Sequence, residues 1–484
     1  MAYKTGERKQ LALLPQSIEQ FVAADDPVRA YDAFVEALDF DQVGIPIDPH
    51  KVGNAPYHPK SMLKLLVYGY SYGVRSSRKL ERETHHNLSF IWLMGGLKPD
   101  HKTIAEFRRT NKQAIRKVLQ QCARMCVKLD LIAGNVLFVD GTKIRANASA
   151  SRAHGQDWYV HQLADIDQRI EQLLSECETT DQQESQLGSF VAMNKELAQA
   201  NRLKSTITEV LAEFAHSERT QINQTDPDCA TMQSRQGTHA SYNVQSVVDD
   251  QAGLIVHAEA VPAANDRKQV SRQITQANAV LPTPCTTVCA DSGYANTDDL
   301  APLDEHGIQI IVPAQEQVSG KTDEPFAKQQ FIYDREADCY YCPTGHRLIY
   351  VTTDTTIDKR FYHITDKHLC FKCQHWGVCT NNKKIGRRIG RFNNEALKEK
   401  LYATYQQAAA QLIYARRKSR VEHPFGHIKR NLKMDAFLLR GSAGVQAETS
   451  LLATCFNITR MITLLGGVAQ LVRIFMATSI WAIA

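Results

Sequence analysis

The chain has 484 residues, 43% hydrophobic and 23% charged, which is ordinary for a globular protein of two to four domains. Its net charge of +5 is too mild to indicate nucleic-acid binding by itself. Met1–Gln10 is charged and Leu11–Leu14 is too short for the apolar part of a secretory signal, so we expect no export signal. The 12 cysteines therefore favour thiols or metal ligands over a disulfide framework.

Positive charge and apolar residues are both concentrated locally. The basic segments Arg75–Arg82, Lys383–Arg391 and Arg416–Arg420 are compatible with a solvated surface or with contacts to a polyanion. The apolar tail Ile462–Ala484 is compatible with a membrane span or with a buried or partner-facing helix. Arg473 lies in the middle of this tail, so we favour the helix outside a membrane.

Residues 1 to about 125 have the pattern of several short helices. Pro59 can begin one helix, and Thr103–Glu106 has the capping-box spacing that predicts the start of another. Arg108 and Arg109 follow in that helix, and we expect the arginines of this region to face outward. Such helices suit a helix-turn-helix-like DNA module, but a helical bundle without DNA contacts fits the pattern equally well.

The middle of the chain alternates strand-like and helical segments, which predicts a mixed α/β core. Asp249–Gly253 has the composition of a hairpin turn, Asp266–Ala279 that of a helix, and another helix is expected to begin near Thr297. The strand-like segments are Val136–Thr142, Tyr242–Val248, Leu254–Val261, Thr287–Asp291 and Ile308–Val312.

The stretch from Trp158 to about Ala215 differs from its surroundings, because it is rich in Gln, Glu, Ala and Leu and free of proline. Apolar residues recur at spacings of three and four in both halves, and the polar stretch Thr179–Gly188 separates them. This pattern predicts a helical hairpin inserted into the fold. A long coiled-coil dimer is disfavoured, because neither half sustains enough heptads.

Three acidic residues stand out in distant segments. Asp140 and Asp291 each end an apolar strand, and Glu422 lies in a basic segment. Each alone is compatible with a turn residue or a solvated side chain. Together they provide hard oxygen ligands, which could hold two Mg²⁺ ions for in-line displacement at a phosphodiester.

Five cysteines fall between residues 339 and 379, and two pairs of them have the C-x-x-C spacing of a zinc site. As alternatives to a zinc site, these cysteines could be unligated thiols or could take part in redox chemistry. Four thiolates suffice for a tetrahedral zinc, so one cysteine is spare, and three nearby histidines leave the ligand set open. The residues are Cys339, Cys342, Cys370, Cys373 and Cys379, with His346, His368 and His375.

The segment that carries Glu422 reads as helical from Ala396 to about Ile428, although Pro424 lies inside it. A proline removes a backbone donor and clashes with the preceding turn, at a cost of about 3 kcal/mol in a helix interior. We therefore expect a kink or break at His423-Pro424. Phe425 and Ile428 are expected to pack beneath it.

The chain resembles the DDE transposases of bacterial insertion sequences, in the branch with a helical N-terminal domain and a cysteine-bearing insert. The resemblance covers nearly the whole chain. The matching segments are His58–Leu63, Asp100–Arg109, Phe138–Lys143, Asn265-Asp266, Ala290–Tyr294 and Val421–Lys429.

The resemblance implies a helical DNA-binding domain over residues 1–125 and an RNase H-like catalytic core, an α/β fold, over 126–484. The core would contain a helical-hairpin insert at 157–216 and a small zinc-ribbon-like insert at 330–392. It implies that Asp140, Asp291 and Glu422 hold two Mg²⁺ ions for DNA strand cleavage and strand transfer.

The resemblance also implies DNA contacts. Related enzymes place a backbone-binding lysine seven residues after the glutamate, at Lys429. They carry an arginine four residues before the glutamate and a tyrosine three before that. This chain has Lys418 and Ala415 there, with Arg417 and Tyr414 one residue away. The expected DNA-binding residues are Lys143, Arg416, Arg417, Arg420, Lys429 and Arg430.

The cysteine pattern of the same branch matches Cys342, Cys370, Cys373 and Cys379, which would hold a structural Zn²⁺ and leave Cys339 spare. The implied partners are double-stranded DNA, as terminal inverted repeats and target, and further copies of the chain in a DNA-bound homo-oligomer. No membrane is implied, and we expect a cytoplasmic, nucleoid-associated bacterial protein. Two alternatives are an inactive DNA-binding regulator derived from a transposase and a metal-dependent nuclease without strand transfer.

Overall fold

The N-terminal helices share one hydrophobic core with the rest of the protein. The computed structural model describes residues 17–48, 55–181, 187–217, 219–234, 237–318, 325–355, 359–392 and 394–480. A continuous cluster of buried residues joins the N-terminal helices to the central sheet and the C-terminal helices. The N-terminal helices are α1 (Pro27–Glu36), α2 (Phe40–Val43), α3 (Pro59–Ser71), α4 (Ser77–His86), α5 (Leu88–Leu93), α6 (His101–Thr110) and α7 (Lys112–Lys128).

Two expectations for this region need correction. Helix α6 begins at His101, not at Thr103, because the Asp100 carboxylate accepts a hydrogen bond from the Thr103 amide at 2.6 Å and caps the helix there. Arg108 does not face outward: it is 8% exposed and donates to the Arg75 carbonyl and the Tyr70 hydroxyl. Only the second arginine of the pair, Arg109, is exposed.

The central sheet is built around two long antiparallel strands. Strand β5 (Gly237–Asp249) pairs with β1 (Val136–Arg145) on one side. On its other side it pairs first with β4 (Ala230–Ser234) and then with β6 (Ile255–Val261). The residues between β5 and β6 make the predicted hairpin turn, so the sheet carries an antiparallel half ending at β6.

The other half of the sheet is parallel. Strand β7 (Thr287–Cys289) lies parallel to β1, and β8 (Gln309–Ile311) lies parallel to β7. Helix α10 (Val270–Asn278), which precedes β7, starts later than expected, and α11 (Thr297–Glu305), between β7 and β8, begins where predicted. A short helix, α12 (Gln315–Val318), follows β8. The mixed α/β core predicted from the segment pattern is confirmed.

Two long helices follow β1 in the chain and precede β5: α8 (Gln156–Asp181) and α9 (Leu187–His216). They pack against each other. The short strands β2 (Ala153–His154) and β3 (Ile222–Asn223) pair at their base. A small cluster around Tyr159 and Ile207 packs between the helices. The part of the predicted polar turn at 182–186 lies outside the described residues.

The cysteine-bearing segment contains a separate five-stranded antiparallel sheet with its own small core. The strand order is β13-β12-β11-β10-β9, and α13 (Lys367–Phe371) follows β12. The strands are β9 (Ile332–Asp334), β10 (Cys339–Tyr341), β11 (Arg347–Asp354), β12 (Lys359–Ile364) and β13 (Arg388–Phe392).

The predicted break at Pro424 is wrong. Helix α15 (Ala408–Arg430) runs through Pro424 without interruption, and Phe425 and Ile428 on the same face are buried. Packing of this face offsets the hydrogen bond that proline removes. The interruption falls earlier, at Gln407, whose extended backbone separates α14 (Glu395–Gln406) from α15.

The C-terminal helices cover the edge of the sheet. Gln446 and Asn457 of α16 (Ser442–Leu464) hydrogen-bond the backbone of β6, which satisfies an edge strand that would otherwise be open. Helix α17 (Val468–Ile480) packs Phe475 against Phe34 of α1. Among the described residues no single helix is long and apolar enough to cross a membrane. Helix α16 and the start of α17 reach that hydropathy only together, across a 107° bend.

Candidate active site

The first predicted acid, Asp140, lies within β1 and not at its end, as the sequence had indicated. Parallel pairing with β7 stops at Phe138, whereas antiparallel pairing with β5 continues to Arg145. Asp140 therefore lies at the point where one neighbouring strand has ended and the other continues. Its carboxylate is about four-fifths buried, at 20% side-chain exposure.

The second acid, Asp291, follows β7 by two residues and caps a single turn of 3-10 helix, Ser292–Tyr294, by accepting a hydrogen bond from the Gly293 amide at 2.8 Å. Since Phe138 pairs with Cys289, each aspartate lies two residues beyond the last parallel pair. The structure therefore brings Asp140 and Asp291 to adjacent positions at the ends of the parallel pairing.

A third carboxylate, Asp266, lies beside these two. Its Oδ1 accepts hydrogen bonds from the side-chain amides of Asn243 and Gln245, each at 2.8 Å. A Cβ atom at Gly141 would lie 2.6 Å from this oxygen, so only glycine leaves room for the close approach. In the sequence, the Asn265-Asp266 motif is the only signal for Asp266, and it assigns this residue no role.

The three carboxylates influence one another. The pKa of Asp140 is raised to about 6, mainly by burial. Arg417 and the Gly141 amide oppose this shift, and the charges of Asp291 and Asp266 add to it. Tyr294, fully buried, donates its hydroxyl to Gln245 at 2.7 Å and so connects the turn after Asp291 to the residues that hold Asp266.

Arg417 approaches this acidic centre from α15. Its Nη1 lies 3.8 Å from Oδ2 of Asp140, and its side chain is 17% exposed. Burial raises the pKa of Tyr414, one turn earlier, and the charge of Asp291 adds to the shift. These two residues, one position away from the spacing expected of related enzymes, are thus the ones that face the aspartates.

The third predicted acid, Glu422, is exposed on α15. No hydrogen bond or ion pair joins it to Asp140 or Asp291 within the part of the chain that the structure describes. Lys429, seven residues later and so on nearly the same helix face, donates to the Thr142 hydroxyl, two residues after Asp140. Glu422 therefore lies along α15 between the contacts of Arg417 and Lys429 with β1.

The other predicted DNA-binding residues are placed differently. Arg416 and Arg420 both bind Asp250 in the β5–β6 turn, at 2.7 Å and 3.4 Å. Lys143 donates to the Gln233 carbonyl at 2.7 Å, and Arg430 is exposed. Two of the predicted DNA-binding arginines, Arg416 and Arg420, are therefore already paired with a carboxylate of the protein.

The four cysteines expected to bind zinc line one small cavity in the insert, together with His346 and His375. Burial raises the pKa of Cys370 and Cys379, and the neighbouring thiols of the cavity add to both shifts. Cys339 is fully buried on β10 and does not line the cavity. All cysteines described here are free thiols.

Neither acidic nor thiol cluster is a ready-made metal site. Among the described residues, no group of three or more His, Cys, Asp or Glu side chains is arranged closely enough to hold a metal ion. The structure thus brings Asp140 and Asp291 together, with Asp266 as a third carboxylate, but does not bring Glu422 into contact with them.

Comparison with protein families gives two matches, in two separate parts of the chain. Residues 16–110 match a transposase domain family, and residues 341–462 match a transposase DDE domain family. Both matches support a DDE transposase of an insertion sequence. The second match includes Glu422, Arg417 and the cysteine cavity, whereas Asp140 and Asp291 lie outside both. Comparisons with curated proteins and with solved structures gave no match.

Proposed function

We propose that this transposase cleaves and joins DNA strands with two Mg²⁺ ions held by Asp140, Asp291 and Glu422. The observation that carries the proposal is the placement of the two aspartates at the point where the parallel pairing of β1 and β7 ends, each two residues beyond the last pair. Ligands collect at such strand ends in α/β proteins. Asp266 beside them adds a carboxylate that orders this region through Asn243 and Gln245.

The strand order supports an RNase H-like core. Read across the sheet, the main strands are β6, β5, β1, β7 and β8, with an antiparallel half and a parallel half that meet at β1. We assign residues 126–484 to this core, with inserts at 157–216 and 330–392. Residues 1–125 form the helical DNA-binding domain of the proposal.

The acidic centre fits a divalent cation by its donor chemistry. Burial raises the pKa of Asp140, and the negative charges of Asp291 and Asp266 add to the shift. Hard carboxylate oxygens are the ligands that Mg²⁺ prefers. Two bound Mg²⁺ ions would stabilise the attacking and leaving oxygens of the phosphodiester.

Glu422 is within reach of this centre by its position on α15. The helix contacts β1 at Asp140 through Arg417 and at Thr142 through Lys429. These helix residues are about 18 Å apart along the axis, at about 1.5 Å a residue. Glu422 lies between these two residues along the helix, on nearly the same helix face as Lys429. A rotation of its exposed side chain would turn its carboxylate toward β1, where it would serve as the third ligand.

The residues of the chain itself orient the DNA. The Arg417 guanidinium neutralises Asp140 and presents charge-assisted donors for a phosphate. Lys429 holds a positive charge beside Thr142, and burial lowers its pKa. Four further basic residues would bind the phosphate backbone of the DNA next to Arg417 and Lys429. They are Lys143, Arg416, Arg420 and Arg430.

We also propose that Cys342, Cys370, Cys373 and Cys379 hold one structural Zn²⁺. The support is that four thiols from three segments line a single cavity, which matches the number a tetrahedral site needs. The ion would join the loop after β10 to the segment around α13 and so stabilise the insert sheet.

The test is DNA cleavage by purified protein on a supercoiled plasmid that carries the flanking ends of the element. Asp140→Asn, Asp291→Asn and Glu422→Gln should each lower Mg²⁺-dependent cleavage at least about 100-fold, because the reaction depends on the complete set of ligands. Binding of the same DNA, measured by fluorescence anisotropy, should remain. Glu305→Gln, at an exposed glutamate ending α11, is the matched control.

The outcome separates the alternatives. An inactive regulator would bind DNA without cleavage by the unmodified protein. A nuclease without strand transfer would cleave but would not join a 3′-hydroxyl end to a second plasmid. Full cleavage by Glu422→Gln would remove this residue from the ligand set.

A further inference from the structure

One face of the insert sheet lies outside the insert core, is partly exposed, and carries cations and aromatic rings. On β12, Tyr362 and Ile364 point into the insert core, and Lys359 and Phe361 alternate with them onto the other face. On β13, Ile389 is buried and Arg388 is exposed. We name the surface formed by Lys359, Phe361, His363, Arg388 and Phe392 the outer insert face.

Arg388 on this face has no carboxylate partner among the described residues. Its guanidinium lies 3.5 Å from the centre of the Phe361 ring. By contrast, two other arginines of the sheet are paired, Arg360 with Asp338 and Arg391 with Glu399. Burial lowers the pKa of His363, and the Arg388 charge opposite it lowers the pKa further.

The ring beneath Arg388 restricts its side chain without neutralising it. A guanidinium stacked on an aromatic face keeps its N–H donors directed sideways, where a phosphate can accept two of them. Lys359 lies 4.6 Å from the Phe392 ring but faces Asp354 in the strand register, so its charge is less available. Arg388 is therefore the main cation of the face.

One cleft links the outer insert face to the turn that follows Asp291. Phe392, at the end of β13, lines this cleft of about 610 Å³, which also contains Ser292 and Gly293. Two cations, Arg267 and Lys398, line the same cleft, as does Asp298, whose carboxylate accepts a hydrogen bond from Asn394. The cleft thus gives a route, with cations along it, from the turn after Asp291 to the face that carries Arg388.

We propose that the outer insert face is a second contact surface for the DNA backbone, in addition to the contacts around α15. This inference rests on the proposed function, since it assumes that DNA occupies the acidic centre. A DNA strand leaving Asp291 through the cleft would meet Arg388, which binds a phosphate while Phe361 holds its guanidinium. Charge complementarity identifies the occupant, because Arg388, the main cation of the face, has no carboxylate partner in the part of the chain that the structure describes.

The experiment measures binding of full-length protein to a 30-base-pair duplex of arbitrary sequence, without divalent metal, at several salt concentrations. Arg388→Gln should weaken binding roughly fivefold near 0.1 M salt and reduce the slope of log K against log salt by about 0.9, as loss of one phosphate contact predicts. Arg388→Lys should restore the slope but not the full affinity, since lysine lacks the planar fork.

Lys372→Gln is the matched control, because it removes one positive charge from an exposed residue of the insert that is not among the five residues of this face. Phe361→Leu should lower affinity without changing the salt slope. Unchanged affinity and slope in Arg388→Gln would overturn the inference, as would an equal loss in Lys372→Gln. Either result would leave the proposed function standing if the unmodified protein still cleaves DNA, so the two failures are distinguishable.

Discussion

Arg417 of α15 approaches Asp140 of β1, with Nη1 3.8 Å from Oδ2. The arginine lies on a helix and the aspartate on a strand that is 277 residues earlier in the chain. Burial raises the pKa of Asp140 to about 6, and Arg417 opposes this shift. The pair therefore controls how readily the carboxylate is available to a cation.

The first prediction concerns metal affinity and pH. Protons and metal compete for the Asp140 carboxylate, so Mn²⁺ affinity measured by calorimetry should fall below pH about 6, by up to about tenfold per pH unit. Arg417→Gln removes the charge that lowers this pKa, so the midpoint should move to higher pH. Arg420→Gln, whose side chain contacts Asp250 instead, should leave the midpoint in place. A midpoint that does not move in Arg417→Gln would contradict the electrostatic coupling.

The second prediction concerns Lys429. Its ammonium group lies beside Thr142 and is expected to contact a phosphate of the bound DNA. Lys429→Ala should weaken binding to unrelated duplexes by similar factors and reduce the salt slope by about 1. The measurement is anisotropy at several salt concentrations, with Lys195→Ala on helix α9 as the control. Loss of affinity for only one sequence would show that the lysine reads bases instead.

The third prediction concerns zinc. Metal analysis of purified protein should find about one zinc per chain, as a single four-thiolate site requires. Cys370→Ser should lose the metal and lower the melting temperature, because the ion joins separate segments of the insert. Cys339→Ala should keep the metal, since Cys339 does not line the cavity. Equal zinc content in both variants would argue against the assigned ligands.

The fourth prediction concerns His257, a buried residue of β6. Burial lowers its pKa to about 4, the charge of Glu259 opposes the shift, and Arg116 and Arg272 reinforce it. In the unfolded chain a histidine takes up a proton below about 6.5, so between pH 6.5 and 4 the unfolded state binds more protons. The free energy of unfolding should therefore fall by up to about 3 kcal/mol over this range.

Denaturant unfolding of His257→Gln should show a smaller decrease over the same pH range, because this side chain does not titrate. An equal pH dependence in the original protein and the variant would assign the effect to other groups. The Glu259 carboxylate stays in both, which makes the comparison specific for the imidazole.

Most elements of the fold could be predicted from the sequence, because their signals are local. The apolar runs of β1, β7 and β8 and the helix that begins at Pro59 follow from side-chain periodicity and backbone geometry within a few residues. The helix start at His101 was missed because the Asp100 cap competes with the capping box at Thr103. The break at Pro424 was wrong because buried neighbours on one face of α15 compensate for the lost hydrogen bond.

The sequence by itself determined which residues can carry the chemistry of this protein: two aspartates after apolar runs, one glutamate in a basic helix, and paired cysteines. Only the tertiary structure decided how they meet. It placed Asp266 beneath Gly141, turned Arg417 toward Asp140 and engaged Arg416 with Asp250. These contacts join segments more than 100 residues apart, and their geometry depends on the register of β1 against β5 and β7 and on the packing of α15, which no local pattern encodes.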